Sequence, residues 1–160
     1  MENTIDAKKL RTVAGAFATG VTVVTTTRED GSIHGMTANS FLSVSLSPPL
    51  VAFSVREQGS LMAHLEVGKA VGISILSEEQ EAISNRFAGR EMPPMDIPFE
   101  QHPNGASTIR GSLAWYSTEV QQLIPAGDHI LVLCLVADLD RPAGVSSPLL
   151  YYSGYKSLAG

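Results

Sequence analysis

The chain has 160 residues and a formal net charge of −5, from 16 acidic and 11 basic side chains. This length fits one domain over residues 1–160, and a content of 44% apolar and 17% charged residues is typical of a globular protein. The acidic balance, with no run of Lys or Arg, argues against a nucleic-acid partner. The single cysteine, Cys134, excludes an intrachain disulfide and a multi-cysteine metal site.

The N-terminal ten residues are polar and mixed in charge, unlike a signal peptide. No apolar run approaches the roughly 20 residues that a membrane-spanning helix needs. We therefore expect a cytoplasmic protein with no membrane partner. No cluster of metal-ligating side chains stands out, so no metal is expected.

A first helix is predicted between Asp6, a candidate N-cap, and Gly20, where the helix should stop. Its apolar face has the spacing i, i+3, i+4, i+7 and consists of Leu10, Val13, Ala14 and Phe17. The β-branched residues 21–27 predict a strand. Asp30-Gly31 is predicted to form the following hairpin turn, because both positions tolerate a positive φ.

A serine-alternating strand is predicted next, with Leu42, Val44 and Leu46 on a buried face and serines on a polar one. Pro48-Pro49 ends that strand, and residues 50–56 begin another. Ser60 is then predicted to cap a short helix that presents Leu61, His64 and Leu65.

The second half of the chain is predicted to hold three more strands. Residues 70–76 form the first, and a capping box of Ser77 and Gln80 starts a helix that reaches about Phe87. The proline-rich residues 89–105 are expected to be irregular. Residues 113–123 and 129–139 are the closing strands, joined by a turn at 125–128. Residues 130–136 are apolar on both faces, which places them centrally or against a second subunit.

Many short strands with a few helices favour a mostly-β fold, a β-barrel with a few helices. Within it, the segment Gly35-Met36-Thr37-Ala38-Asn39-Ser40-Phe41 is rich in small, hydroxylated and amide residues. Such a segment suits the edge of a planar heteroaromatic ligand, which carries alternating donors and acceptors. A strand end with an Asn turn is the structural alternative.

Two further groups of residues suit a phosphate and a redox partner. Ser54 and Arg56 share one strand face, and the Arg56 fork together with a helix beginning at Ser60 would bind a phosphate. A surface arginine and an ordinary N-cap are the alternatives. Asp128-His129 lies at the start of a strand, where we expect the rim of the barrel, and a purely structural histidine is the alternative.

These motifs resemble, in order and over nearly the whole chain, those of the flavin reductase-like, FMN-binding split-barrel family. The resemblance includes Phe17-Ala18-Thr19-Gly20, Pro48-Pro49-Leu50-Val51, Phe87-Ala88-Gly89 and Gly127-Asp128-His129. It implies a homodimeric split barrel with flavin near the subunit interface. It also implies an NAD(P)H:flavin oxidoreductase that reduces FMN or FAD by hydride transfer and supplies the reduced flavin to a separate flavin-dependent monooxygenase.

The resemblance also implies roles for individual residues. Those at the flavin edge are Thr37, Ala38, Asn39, Ser40 and Phe41, and those at the flavin phosphate are Ser54, Val55, Arg56 and Ser60. His129 would position the nicotinamide of NAD(P)H, and Asn85, Arg86 and Phe87 would lie beside the dinucleotide, although Phe87 equally suits the core.

The chain departs from the family pattern at two places. Ser117 stands where the family often carries cysteine, and Cys134-Leu135 lies near a position where the family has a Gly-Arg pair. The missing arginine leaves the nucleotide preference open, and the sequence does not decide between FMN and FAD or between NADH and NADPH. A non-catalytic flavin carrier on the same barrel is the alternative function. A pyridoxamine-phosphate-oxidase-like enzyme should show more Lys and Arg than the 11 present.

Overall fold

Strands dominate the computed structural model, which describes residues 4–144 and 147–158. The two α-helices are α1, Ala7–Ala14, and α2, Glu81–Phe87. The strands are β1 Thr19–Gly20, β2 Thr22–Thr27, β3 Ile33–Ala38, β4 Leu42–Leu46, β5 Pro49–Arg56, β6 Ala70–Ile75, β7 Phe99–Gln101, β8 Ser107–Ile109, β9 Ala114–Ala126, β10 His129–Asp140, β11 Leu150–Tyr151 and β12 Tyr155–Lys156. No helix in the described ranges is long and apolar enough to cross a membrane.

Seven strands form one antiparallel sheet in the order β3-β2-β6-β9-β10-β5-β4. The two edge strands, β3 and β4, are joined by only the three residues 39–41. Because an extended chain spans at most about 3.6 Å per residue, this link forces the two edges of the sheet close together. The sheet therefore curls into a barrel, as the sequence predicted.

The main core lies inside this barrel, where strands of high β-propensity turn alternate side chains inward. Fully buried members include Phe53, Val71, Ile73, Val120, Val132 and Cys134. Burial raises the pKa of the Cys134 thiol to about 11, so this cysteine is a packing residue and not a thiolate. The doubly apolar segment 130–136 lies in β10, which pairs with β9 on one side and β5 on the other. Its predicted central position is confirmed.

A second apolar cluster packs outside the barrel, beneath α2 and the hairpin of β7 and β8. Its buried members are Val21, Val23, Leu76, Ile109 and Leu149. The hairpin corrects the prediction that residues 89–105 are irregular throughout, because β7 begins at Phe99 and pairs with β8. Thr25 Oγ1 donates to the Ser107 carbonyl at 2.6 Å, which fixes the hairpin against β2.

Several local predictions are confirmed by backbone geometry. The Ser77 amide donates to Gln80 Oε1 at 2.9 Å within a complete capping box, and one 3-10 turn then leads into α2. Asp6 caps α1 by accepting from the Lys8 amide at 3.0 Å. In the turn between β2 and β3, Gly31 has a φ of +83°. That turn spans residues 28–32 and is longer than the predicted two-residue turn.

Two predictions are wrong, one about the end of α1 and one about the burial of β4. Helix α1 ends at Ala14 instead of near Gly20, because the amides of Ala16 and Phe17 bond to carbonyls only three residues back and the chain leaves the α-helix in turns. The alternating strand exists as β4, but its apolar side chains are exposed: Leu42 by 55%, Val44 by 46% and Leu46 by 93%. These exposures show that no described part of this chain covers those side chains.

The predicted helix cap at Ser60 is also wrong. The segment forms a single 3-10 turn, Met62–His64, whose N-cap is Leu61 and which has no side-chain capping hydrogen bond. A turn this short offers no row of free amides for an anion. The hydroxyl of Ser60 instead lies 3.0 Å from the imidazole Nε2 of His34 on β3.

Candidate functional site

A cavity of about 440 Å³ lies between the C-terminal end of β3 and the C-terminal end of β5. It is lined by Met36, Thr37, Ala38, Asn39, Ser40, Ser54, Val55, Arg56, Gly59, Ser60, Leu61 and His129. Its volume falls within the range of small-molecule sites. Three stretches of chain that are distant in sequence therefore meet around one space.

The β3 side of the cavity is held in place by two side-chain contacts. Thr37 Oγ1 donates to the Ser84 carbonyl in α2 at 2.6 Å, so its hydroxyl proton points away from any ligand. The Ser54 amide donates to Ser40 Oγ at 3.0 Å, which ties the end of β3 to β5. These contacts fix the backbone amides and carbonyls of residues 36–40 along the cavity wall.

The β5 side brings a cation and an imidazole together. Arg56 on β5 and His129 on β10 are directly opposite in the antiparallel register. Side chains at opposite positions lie on the same face of the sheet, so both face the cavity that they line. Ser54, two residues before Arg56, shares that face. The predicted grouping of Ser54 with Arg56 is therefore present.

The Asp128 carboxylate orients His129. Asp128 Oδ1 lies 2.7 Å from His129 Nδ1, and this hydrogen bond, followed by the charge of His129, lowers the pKa of Asp128 below its usual value. An ionised carboxylate only accepts hydrogen bonds, so Nδ1 carries a proton and donates to it. In the neutral imidazole, Nε2 is then an acceptor.

Nine of the thirteen predicted site residues line this cavity. They are Thr37, Ala38, Asn39, Ser40, Ser54, Val55, Arg56, Ser60 and His129. Sequence reasoning missed Met36, Gly59 and Leu61. Met36 belongs to the quoted Gly35–Phe41 motif, whereas Gly59 and Leu61 carry no chemical signal and enter the site only because they flank Ser60.

The other four predicted residues lie outside the cavity wall. Phe41 packs on Tyr116 with ring centroids 5.4 Å apart, and Phe87 packs on Phe99 at 6.3 Å. Arg86 is exposed on α2. The Asn85 Oδ1 atom is buried and has no hydrogen-bond partner among the described residues.

A second cavity, of about 680 Å³, adjoins the first and shares Arg56 and His129 with it. Its remaining lining comes from α1, the segment after β5 and the turn before β10: Ala7, Leu10, Arg11, Glu57, Gln58 and Asp128. Within the described ranges, no group of three or more His, Cys, Asp and Glu side chains is placed to hold a metal ion. The two cavities thus meet at a cation and an oriented imidazole.

Comparison with known proteins shows which family has a similar sequence. Residues 14–159 match the family model described as the flavin reductase like domain. The chain is 35% identical over 150 residues to the NADH-dependent flavin reductase StyB of Pseudomonas fluorescens, covering 93% of this chain and 88% of the relative. It is 41% identical over 143 residues to the reductase component of 4-hydroxyphenylacetate 3-monooxygenase from Thermus thermophilus, covering 89% and 90%.

A solved structure agrees with these sequence relatives. The flavin reductase PheA2 in its native state superimposes with a TM-score of 0.89 at 39% identity, covering 98% of this chain and all of that chain. The curled seven-stranded sheet is accordingly the split barrel that the sequence motifs implied. The chain belongs to the flavin reductase-like family.

Proposed function

We propose that this protein is an NAD(P)H-dependent flavin reductase that reduces FMN or FAD and supplies the reduced flavin to a separate flavin-dependent monooxygenase. The observation that carries the proposal is the single cavity in which the wall of residues 36–40, the Ser54–Arg56 face and His129 meet. Relatives named as an NADH-dependent flavin reductase and as a monooxygenase reductase component support both halves of the proposal.

The lining of the 440 Å³ cavity fits a flavin. An isoalloxazine ring needs donors and acceptors along one edge, and the held backbone of residues 36–40 offers both types. A phosphate needs donors and positive charge, which Arg56 and Ser60 provide at the same cavity. The half-buried, apolar side chain of Met36 supplies contact surface for the ring.

The flavin supplies the redox chemistry when bound, because it accepts the hydride that NAD(P)H loses in becoming NAD(P)+. The protein's own residues bind and orient the two partners. His129 suits a positioning role, since its neutral Nε2 accepts hydrogen bonds and a carboxamide offers N–H donors. Hydride transfer needs no proton from the protein, and the residues that line the flavin cavity include no carboxylate.

The adjoining 680 Å³ cavity is the proposed site for NAD(P)H. It shares His129 and Arg56 with the flavin cavity, so a nicotinamide there would lie next to the flavin site. Arg11 and Arg56 line it and offer positive charge for the dinucleotide phosphates. The implied contacts of Asn85, Arg86 and Phe87 with the dinucleotide stay predictions.

We also infer that the protein acts as a homodimer. Exposed apolar side chains of β4 and β10 include Leu42, Val44, Leu46 and Leu135. In the antiparallel register, Leu135 on β10 lies opposite Leu50, on the same face of β5 as Ser54 and Arg56. Leu42 on β4 lies opposite Ala52 and so shares this face of β5. Exposed apolar side chains therefore lie on the sheet face that carries two flavin-cavity residues, which supports a site that borders a second copy of the chain.

Steady-state oxidation of NADH and of NADPH, each with added FMN, FAD or riboflavin, tests the proposed activity. We expect saturable turnover with at least one nucleotide and one phosphorylated flavin, and the ratios of kcat/KM then assign the preferred pair. Saturable flavin binding without any nucleotide oxidation would support the flavin-carrier alternative. Absence of binding for all three flavins would contradict both functions.

A further inference from the structure

A hydrogen-bonded chain of three side chains runs from the turn after β2 to the edge of the flavin cavity. Arg28 Nη2 lies 2.7 Å from His34 Nδ1, and His34 Nε2 lies 3.0 Å from Ser60 Oγ. Arg28 also reaches Ser32 Oγ through Nη1 at 3.3 Å. Of these residues, only Ser60 lines the cavity itself.

The chemistry of these groups fixes the direction of each hydrogen bond. A guanidinium has donors and no acceptor, so His34 Nδ1 must accept from Arg28. A neutral imidazole then carries its proton on Nε2 and donates it to Ser60 Oγ. Burial first, then the charges of Arg28 and His64, lowers the pKa of His34, which keeps the ring neutral near pH 7.

The hydroxyl of Ser60 therefore receives a hydrogen bond on the His34 side and retains its own proton. The turn that follows does not use this hydroxyl, because its N-cap is Leu61 and no side chain caps it. A serine hydroxyl otherwise donates or accepts according to its surroundings, whereas a phosphate oxygen mainly needs donors. The bond from His34 occupies one of the two lone pairs of the Ser60 hydroxyl and fixes its orientation, and the hydroxyl proton remains available to donate into the cavity.

We propose that Arg28 and His34 are positioning residues that orient Ser60 as a hydrogen-bond donor to the phosphate of the bound flavin, and so favour phosphorylated flavins over riboflavin. This inference rests on the proposed function. Arg28 acts through His34 and does not line the cavity. Arg56 supplies direct charge at the same cavity, so the two arginines act on the phosphate by different routes.

Fluorescence titration of wild type, His34→Ala and His34→Gln with FMN and with riboflavin tests the proposal. We expect His34→Ala to weaken FMN about 3- to 10-fold, the size of one hydrogen bond, and to leave riboflavin within about 2-fold. His34→Gln should restore FMN affinity, because its amide oxygen can accept from Arg28 and its amide nitrogen can donate to Ser60. A structural role alone would not depend on the ligand's phosphate.

A double-mutant cycle tests whether His34 acts through Ser60. Ser60→Ala should weaken FMN, and adding His34→Ala should cost little more, since the contact is already lost. His64→Ala is the matched control, because its ring lies 5.5 Å from that of His34 but has no hydrogen bond to Ser60. That variant should keep wild-type preference for FMN, and melting curves should show that every variant folds.

The outcomes separate this inference from the proposed function. Equal losses for FMN and riboflavin, failure of His34→Gln to restore FMN binding, or additive losses in the double variant would overturn the positioning role while leaving the reductase in place. Wild-type protein that binds neither FMN nor riboflavin would overturn both. Retained FMN affinity in His34→Ala would also contradict the positioning role.

Discussion

His129 faces two cavities at once, and its ring is oriented by the carboxylate of Asp128, which lines the second cavity and is 95% exposed. Such a carboxylate contributes little to stability, because solvent screens it. Its consequence is chemical: with Nδ1 bonded to Asp128, the neutral ring offers Nε2 as an acceptor. A residue with this geometry should affect how the nucleotide is placed and not how the flavin is bound.

We expect His129→Ala to lower kcat/KM for the reduced nucleotide roughly 10- to 100-fold, which corresponds to about 1.4–2.7 kcal/mol of transition-state stabilisation. That size fits the loss of one hydrogen bond or stacking edge. Stopped-flow reduction of bound flavin at limiting and saturating nucleotide is the measurement. Flavin affinity and melting temperature should stay near wild type and serve as controls. Unchanged reduction would make His129 a turn-anchoring residue.

Arg56 should discriminate between flavins by direct charge. We expect Arg56→Ala to weaken FMN by about 1.5–3 kcal/mol, the size of a charge-assisted hydrogen bond, and riboflavin by much less. Arg56→Lys should recover only part of the loss, because an ammonium lacks the two-pronged geometry of a guanidinium. Isothermal titration with both ligands gives the two affinities. Equal losses for FMN and riboflavin would assign Arg56 a structural role.

At the level of residues, the sequence predicted chemistry better than it predicted contacts. The Ser40 hydroxyl was predicted to contact the ligand, yet it accepts from the Ser54 amide and acts by holding the wall, as the Thr37 hydroxyl does through the Ser84 carbonyl. Ser60 was predicted as a helix cap, and its real partner, His34, lies 26 residues away in the sequence. Local spacing could not reveal that partner, because strand pairing and barrel closure bring the two residues together.

At the level of elements, local signals were reliable where one turn of chain determines the geometry. The Ser77–Gln80 capping box is such a case, and the structure contains both of its hydrogen bonds. The hairpin of β7 and β8 could not be predicted in this way, since its position depends on contacts with β2 and β6. Gly72 allows the backbone of β8 to lie close against β6, because a Cβ at this position would overlap the Ser107 carbonyl of β8.

Gly72→Ala should therefore destabilise the fold strongly. We expect a loss near or above the upper end of the roughly 1–3 kcal/mol typical of overpacking, because backbone of β8 would have to move away from β6. Gly20→Ala is the matched control, since a Cβ there meets no atom within 4 Å. Urea unfolding of both variants measures the difference in free energy. A Gly72→Ala protein as stable as wild type would show that the hairpin shifts without cost.

At the level of the whole molecule, the apolar side chains of α1 and β4 were identified correctly, and those of β4 were wrongly predicted to be buried. Leu10, Val13 and Phe17 of the N-terminal segment are exposed by 60%, 64% and 79%. The leucines of β4 are exposed as well. Periodicity shows that a face is apolar, but it cannot tell whether the cover comes from the same chain or another. The sequence pattern offered contact with a second subunit only for residues 130–136 of β10, where Leu135 is exposed by 37%.

We expect the wild-type protein to sediment as a dimer at micromolar concentration, because a monomer would leave the β4 and β10 surface in water. Leu135→Glu places a charge on that surface and should shift the equilibrium towards monomer. Val67→Glu is the matched control, since Val67 is 66% exposed and lies in the loop before β6. It should remain dimeric, and both variants should keep cooperative melting transitions.

The same samples decide whether the flavin cavity depends on the dimer. Leu135 lies on the sheet face that continues to Ser54 and Arg56, so loss of the partner copy removes the surface beside the cavity. Monomeric Leu135→Glu should therefore bind FMN more weakly, whereas Val67→Glu should bind it like wild type. A wild-type monomer with full flavin affinity, or a monomeric variant that binds FMN unchanged, would contradict a site that borders the subunit interface.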